Sequence, residues 1–181
     1  MRSSESPLLS IVITSYTMDR FKDICDLLDS IKQQQFAQNG QDSALSEEML
    51  ETIFIAERSL ELYEKVKEHA EDIGLANFRL LLSGERLGLG GARNLGAKEA
   101  RGQIIAFVDD DAVLFPEWAR EMVNTYEDKA VMGVTGASIP LWQDRELDWL
   151  PKSFYWLISC NDWTGWNEIT EARTLWGQNM S

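Results

Sequence analysis

Residues 88–111 read GLGGARNLGAKEARGQIIAFVDDD, and this stretch decides how the chain folds. Its glycine-rich start leads into a segment at 90–100 that reads as a helix, and the apolar run at 104–108 ends in three aspartates. A short apolar run without polar alternation is typical of a strand buried on both faces of a parallel sheet. The stretch therefore predicts a helix followed by a buried strand whose carboxyl end carries acidic side chains.

Outward from this stretch, strands and helices alternate. Apolar runs predict four further strands, at 8–16, 52–56, 78–82 and 130–137. Amphipathic patterns between them predict one helix after the cap Asp19, one after the cap Ser59 and one that opens at Pro116. Such alternation indicates an α/β fold with a mostly parallel twisted sheet, helices on both faces and a ligand crevice at the carboxyl ends of the strands.

The composition is that of one globular domain, and it narrows the function classes. Of 181 residues, 44% are hydrophobic, which suffices for a sizeable core. The formal net charge of −13 repels phosphate backbones, so we expect no nucleic-acid partner.

Two cysteines and a single histidine argue against structural zinc, and His69 is expected to be a partly buried structural residue. Cys25 and Cys160, which form no C-x-x-C pair, fit a reducing compartment, so we expect a cytoplasmic protein. No apolar run is long enough to span a membrane, so any contact with a membrane face is expected to involve parts of a longer protein.

The three aspartates are the sharpest chemical signal. Adjacent carboxylates repel one another unless a cation or hydrogen-bond donors offset their charge. In an extended backbone Asp109 and Asp111 would face one side and Asp110 the other, so the first and third would form a D-x-D pair for one hard divalent ion. Oxygen ligands favour Mg²⁺ or Mn²⁺, which would also hold the phosphate oxygens of a nucleotide. The alternative is an acidic turn whose last aspartate caps a helix.

The glycine-rich turn fits neither of two familiar phosphate-binding patterns. The dinucleotide pattern G-x-G-x-x-G requires glycine where Arg93 stands, and the phosphate loop requires Lys and Ser or Thr directly after Gly96. What remains is a turn that delivers Arg93 and Asn94 towards the crevice, or one that only begins a helix.

Together, SIVITSY at 10–16, GLGGARNLGAKEARG at 88–102 and IIAFVDDD at 104–111 resemble the inverting family 2 glycosyltransferases, which have the glycosyltransferase A fold. The resemblance covers almost the whole chain, and the later PLW, FYW and GQNM segments are similar to a branch with lipid-linked-sugar transferases. It implies a nucleotide-sugar donor, UDP-sugar by default, and Mg²⁺ or Mn²⁺ as cofactor. It also implies a glycan or lipid-linked acceptor, whose hydroxyl attacks the anomeric carbon with inversion.

The resemblance also implies donor-site residues, which are Thr14, Ser15 and Tyr16, then Glu57, then Arg93 and Asn94, and finally Asp109, Asp110 and Asp111. The first group would lie along the base and ribose, Glu57 near the base, the third group beside the donor, and the aspartates at the metal and diphosphate. One position differs, because Ala56-Glu57-Arg58-Ser59 stands where the family often has Asp followed by Gly-Ser.

The last part of the chain is expected to cover the acceptor side. Six of the seven tryptophans follow residue 140, and Trp142, Trp149 and Asn179 are the acceptor-side candidates, with core packing as the alternative. In the resembling family, the acidic general base follows the segment that corresponds to 177–180. We therefore expect 1–181 to be one domain truncated at its C-terminus, with a donor-binding core at 8–137, the start of the acceptor side at 138–181, and little activity alone.

Two other readings stay open from the residues. The pattern Asp109-x-Asp111-x-Val113 also matches phosphatases of the haloacid dehalogenase type, whose first aspartate is a phosphoryl nucleophile. That motif normally ends the first strand, whereas here it ends the fourth. A non-catalytic module that holds a sugar nucleotide or a glycan on a tryptophan-rich surface is the other alternative.

Overall fold

The computed structural model describes residues 7–36, 46–142, 145–161, 171, 175, 177 and 179–181. In this part of the chain a five-stranded sheet is formed by β1 (Leu9–Ser15), β2 (Leu50–Glu57), β3 (Phe78–Ser83), β4 (Ile104–Val108) and β5 (Asn179–Met180). The α-helices are α1 (Phe21–Lys32), α2 (Leu60–Asp72), α3 (Gly88–Glu99) and α4 (Trp118–Thr125). The strands lie side by side in the order β3-β2-β1-β4-β5, and all neighbours pair in parallel except β4 and β5. This arrangement confirms the predicted α/β class.

Helices cover both faces of the sheet, as the alternation predicts. Helices α1, α2 and α4 pack on one face, where Ile24, Leu62 and Met122 join the buried side chains of β1 and β2. Helix α3 packs on the other face through Ala92, against Val12 and its neighbours. Within the described residues, no helix has both the length and the apolar character needed to cross a membrane.

Two local predictions about α2 are confirmed. The Ser59 hydroxyl accepts a hydrogen bond from the Leu62 amide at 3.2 Å, so Ser59 caps the helix. His69 is partly buried, and its Nε2 lies 3.0 Å from Oδ1 of Asp29 on α1. The histidine therefore links two helices of the same face.

The predicted strand at 130–137 is wrong. This segment makes a single bridge, from Thr135 to Met180, because the later strand β5 already occupies the position beside β4. The segment instead lies along β5, where the amide and carbonyl groups of Val134 and Ser181 are hydrogen-bonded to each other.

Two predicted helix starts also differ from the structure. Asp19 does not cap α1, because a short 3-10 helix (Met18–Arg20) comes first and is capped by Thr17, whose hydroxyl accepts from the Asp19 amide at 3.1 Å. Pro116 lies in a turn two residues before α4, which begins at Trp118.

Gly96 lets α3 lie directly on the sheet. A Cβ atom at this position would come within 2.3 Å of Cγ1 of Val12 and 3.0 Å of Cδ1 of Ile55. Both of these side chains are fully buried, so they have no room to move aside. The glycine therefore sets the distance between α3 and the sheet, and with it the position of Arg93, which lies one turn earlier on the same helix.

We expect Gly96→Ala to lower the free energy of unfolding by about 1 to 3 kcal/mol, because the added methyl overpacks the contact with the sheet. Gly90→Ala is the matched control, since an added Cβ there would meet nothing within 4 Å. In a helix that control is expected to be neutral or to stabilise by up to about 1 kcal/mol. Urea unfolding of both variants measures the difference, and equal stability would contradict the close approach.

Candidate active site

The candidate site lies at one edge of the sheet, where β1, β2 and β4 end. These strands are parallel neighbours, so Ser15, Glu57 and Val108 mark the same edge. The acidic turn follows β4 at this edge, and the first turn of α3 reaches it through Gly88. The sequence-predicted donor residues therefore share one region of the molecule.

Arg93 joins three parts of this region. Its Nη2 donates hydrogen bonds to Oδ1 of Asp109 and to the carbonyl oxygen of Gly177, both at 2.7 Å. The guanidinium carbon also lies 5.7 Å from the centroid of the Phe107 ring. The next residue, Asn94, is exposed on the helix surface. Of the two residues predicted from the A-R-N element, Arg93 thus contacts the acidic turn directly.

The alternation predicted for the three aspartates does not hold, because the backbone leaves the extended conformation. Strand β4 ends at Val108, and Asp110 and Asp111 form a turn in which the Ala112 amide donates to the Asp109 carbonyl at 3.2 Å. Asp109 pairs with Arg93, whereas Asp110 and Asp111 share a different cation. The side chains of a turn do not follow the two-residue period of a strand.

That second cation is Arg20, which the sequence analysis missed. Its Nη1 donates to Oδ1 of Asp110 at 2.8 Å and to Oδ2 of Asp111 at 2.6 Å. The pKa of Arg20 lies above its ordinary value, chiefly because of the charge of Asp110. No local pattern marks Arg20, since it is an unremarkable basic residue before a helix.

The acidic turn has more acidic side chains than basic partners. Three aspartates face two arginines, Arg20 and Arg93, in this cluster. Burial raises the pKa of Asp109 above its ordinary value; the Arg93 charge opposes this shift, and the charge of Asp111 adds to it. The cluster is therefore a place where a further cation is electrostatically favoured.

The end of β1 contributes an unsatisfied polar group. Ser15 is buried, and its hydroxyl has no hydrogen-bond partner among the described residues. Thr14 is half-buried, and the Tyr16 side chain is 75% exposed. A buried hydroxyl without a partner costs free energy, so a ligand group at this position would be favoured.

Glu57 is anchored to the start of α3. Its Oε2 accepts a hydrogen bond from the Gly88 amide at 2.8 Å, which satisfies one of the free amide groups at the helix N-terminus. This contact explains why an acidic residue suits the end of β2 whether or not it also meets a base.

The three acceptor-side candidates have different surroundings. Trp142 is half-buried and meets the Tyr155 ring edge to face, with ring centroids 5.8 Å apart. Asn179 is buried and accepts a hydrogen bond from the Trp118 indole at 2.9 Å, so it holds β5 to α4. Trp149 is 75% exposed, and core packing does not account for it. The later tryptophans, Trp163, Trp166 and Trp176, lie outside the described residues.

The acidic turn supplies oxygen donors for a metal ion but does not form a complete ligand group. The described residues contain no group of three or more His, Cys, Asp or Glu side chains arranged to hold a metal ion. The three aspartates nonetheless supply hard oxygen donors and outnumber the two arginines that pair with them, and Mg²⁺ and Mn²⁺ prefer such oxygen ligands.

Comparison with known proteins decides the family. The sequence model of Glycosyl transferase family 2 matches residues 10–181. The chain belongs to this family. Membership confirms the predicted class, a glycosyltransferase, and does not favour the phosphatase or the non-catalytic module.

Individual relatives agree with the membership. A glucosyl-dolichyl phosphate glucuronosyltransferase of Haloferax volcanii is 28% identical over 174 residues, which are 96% of this chain and 51% of that protein. The chain thus spans about half the length of this curated relative.

Solved structures agree with the fold. A mannosyltransferase, PcManGT from Pyrobaculum calidifontis, in complex with GDP-Man and Mn²⁺, superposes with a TM-score of 0.60 at 22% identity, over 72% of this chain and 35% of that one. The S. aureus protein TarS in complex with UDP-GlcNAc gives 0.56 at 19% identity, over 74% and 37%. At these identities the likeness concerns the fold.

We expect Arg93→Gln to destabilise the protein in a pH-dependent way. Because Arg93 opposes the upward pKa shift of Asp109, its loss raises that pKa further. The ionised, unpaired carboxylate then costs about 1 to 3 kcal/mol, less where solvent screens it, and this cost disappears as the pH falls through the pKa of Asp109. Unfolding of wild type and variant between pH 4 and 8 checks this.

Arg101→Gln is the control for this experiment, because the Arg101 contact in the structure comes from its backbone amide. If Arg93→Gln lowers the free energy of unfolding by the same amount at every pH, the lost stability comes from the contacts of Arg93 with Gly177 and Phe107 instead of its contact with Asp109.

Proposed function

We propose that this chain forms the donor-binding part of a glycosyltransferase that moves a sugar from a nucleotide-diphospho-sugar to an acceptor hydroxyl with inversion. The observation that carries the proposal is the pairing of Arg93 with Asp109 at the end of β4, in a chain of family 2. UDP-sugar is the default donor. The buried, unpartnered Ser15 hydroxyl at the neighbouring strand end supports a ligand on the same edge of the sheet.

We propose Mg²⁺ or Mn²⁺ as the cofactor, held by Asp109 and Asp111. The donor chemistry fits, because carboxylate oxygens are hard ligands; in the structure Asp109 pairs with Arg93 and Asp111 with Arg20, so both carboxylates would have to turn towards one ion. When bound, such an ion neutralises charge that develops on a diphosphate leaving group. The solved mannosyltransferase of similar fold contains Mn²⁺ with its donor, which is consistent with this assignment.

The chain's own residues then divide the work of donor binding. Arg93 orients the Asp109 carboxylate and brings a fixed positive charge to the diphosphate side of the site. Ser15 and Tyr16 lie at the strand end proposed for the base and ribose, and Glu57 fixes the start of α3 beside them. Asn94 is exposed and available to the donor.

We propose a glycan or lipid-linked acceptor that meets Trp149. The name of the Haloferax volcanii relative includes a dolichyl phosphate, which supports a lipid-linked acceptor. We further propose that the protein acts at the cytoplasmic face of a membrane.

Hydrogen bonds tie residues 145–161, which include Trp149, to the site edge. The Ser138 amide donates to Oδ1 of Asn161 at 2.6 Å, and Nδ2 of Asn161 donates to the Gly136 carbonyl at 3.2 Å. The Thr135 hydroxyl donates to the carbonyl of Asn179 at 2.8 Å, and Asn179 pairs with Val108 of β4. This supports an acceptor-side region at 138–181 next to a donor-binding core at 8–137.

We expect the double replacement Asp109→Asn, Asp111→Asn to abolish metal-dependent UDP binding while the fold stays intact. Two amides cannot supply the negative charge that a divalent ion requires. Isothermal titration calorimetry with UDP, with and without Mn²⁺, measures the affinity, and circular dichroism checks the fold. Glu85→Gln with Glu117→Gln is the matched control, because it removes two acidic charges outside the turn. Unchanged UDP affinity in the first variant would refute the donor-site assignment.

We expect Trp149→Ala to reduce use of the acceptor by about tenfold or more in the complete protein, with donor affinity unchanged, because an exposed indole offers a flat apolar face to a sugar or lipid. Trp149→Phe retains an aromatic face and should keep most of the activity. Steady-state kinetics with varied acceptor give the comparison. Equal loss of donor and acceptor binding, together with a lower melting temperature, would show that Trp149 serves the fold.

A further inference from the structure

Arg20 connects two strand ends that are far apart in the sequence. It closes the short 3-10 helix between β1 and α1, and its two aspartate partners lie 90 and 91 residues later. One nitrogen atom, Nη1, serves both carboxylates, at 2.8 and 2.6 Å. The contact therefore holds Asp110 and Asp111 together although their charges repel.

Asp110 depends on this contact more than Asp111 does. The Asp110 side chain is 11% exposed, whereas that of Asp111 is 50% exposed and well hydrated. A carboxylate taken from water must be paired, because an uncompensated buried charge is strongly destabilising. Without Arg20, the turn would have to open to return the Asp110 carboxylate to solvent.

Neighbouring residues in the sequence fix the backbone around Arg20. The Thr17 hydroxyl accepts from the Asp19 amide and donates to Oδ2 of Asp19 at 2.9 Å, which fixes the turn that carries Arg20. The following helix α1 is anchored in the core by Ile24, Leu27 and Leu28. The backbone that carries Arg20 is thus fixed, and its half-exposed side chain reaches from there to the acidic turn.

We infer that Arg20 is a positioning residue for the donor site: through Asp110 and Asp111 it sets the acidic turn that presents Asp109 beside Arg93. The expected effect on donor binding rests on the proposed function. The effect of Arg20 on the conformation of the acidic turn does not. Arg20 acts through its aspartate partners, and direct contact with the donor is not part of the assignment.

The test uses Arg20→Gln in the complete protein, with Arg101→Gln as a matched control outside the site. Two readouts are taken: the affinity for UDP and for GDP with Mn²⁺, by calorimetry, and hydrogen exchange of the Ala112 amide, which donates across the acidic turn. We expect affinity for the preferred nucleotide to fall about tenfold or more. We also expect faster exchange at Ala112, and neither change in Arg101→Gln.

Rescue distinguishes positioning from direct contact. If Arg20 acts through Asp110, adding Asp110→Asn removes the uncompensated buried charge, so Arg20→Gln with Asp110→Asn should regain slow exchange and part of the affinity. Arg20→Lys should keep more affinity than Arg20→Gln, because a single nitrogen makes both contacts.

Three results would count against the assignment or its basis. Unchanged affinity and exchange in Arg20→Gln would overturn it. Lost affinity with unchanged exchange and no rescue by Asp110→Asn would overturn it too, since Arg20 would then act on the donor directly. Failure of the wild type to bind UDP or GDP with Mn²⁺ would instead contradict the proposed function, and the exchange and rescue experiments would still decide whether Arg20 positions the turn.

Discussion

The close approach of α3 to the sheet at Gly96 is the constraint on which the candidate site depends. A helix that lay one methyl group further from Val12 would carry Arg93 away from the end of β4. Because protein interiors are close-packed, such a shift cannot be absorbed by neighbouring side chains at no cost. The 2.7 Å contact between Arg93 and Asp109 is thus a consequence of packing one helical turn away.

Electrostatics impose a second constraint, because three adjacent aspartates cannot be ionised at a partly buried strand end without cations. Two arginines supply these cations from opposite faces of the sheet: Arg93 on α3 pairs with Asp109, and Arg20 at the start of α1 pairs with Asp110. Neither arginine neutralises the cluster fully, and burial keeps the pKa of Asp109 raised. A cluster left slightly negative is suited to a ligand that brings positive charge.

The sequence predicted those parts of the fold that local patterns encode. The strand at 104–108, the cap Ser59 and the glycine-rich start of α3 follow from runs, caps and turns within a few residues. The prediction of a strand at 130–137 was wrong because a distant segment, Asn179–Met180, pairs with β4 in its place. Local sequence patterns do not show which of two distant segments will pair with a strand. The predicted alternation of the three aspartate side chains was wrong because the chain turns directly after β4, and turn residues do not alternate as strand residues do. Arg20 was missed because its partners lie 90 and 91 residues away.

Two residues of the proposed acceptor side, Gly177 and Asn179, also contact the proposed donor site. The Gly177 carbonyl accepts a hydrogen bond from Arg93, and Asn179 accepts from the Trp118 indole while its strand pairs with Val108. These contacts cover the edge of β4 directly before the aspartates, where an open strand edge would expose unpaired backbone groups to solvent. These hydrogen bonds therefore connect the proposed acceptor side to Arg93 and β4 of the proposed donor site, even though no side chain need meet both ligands.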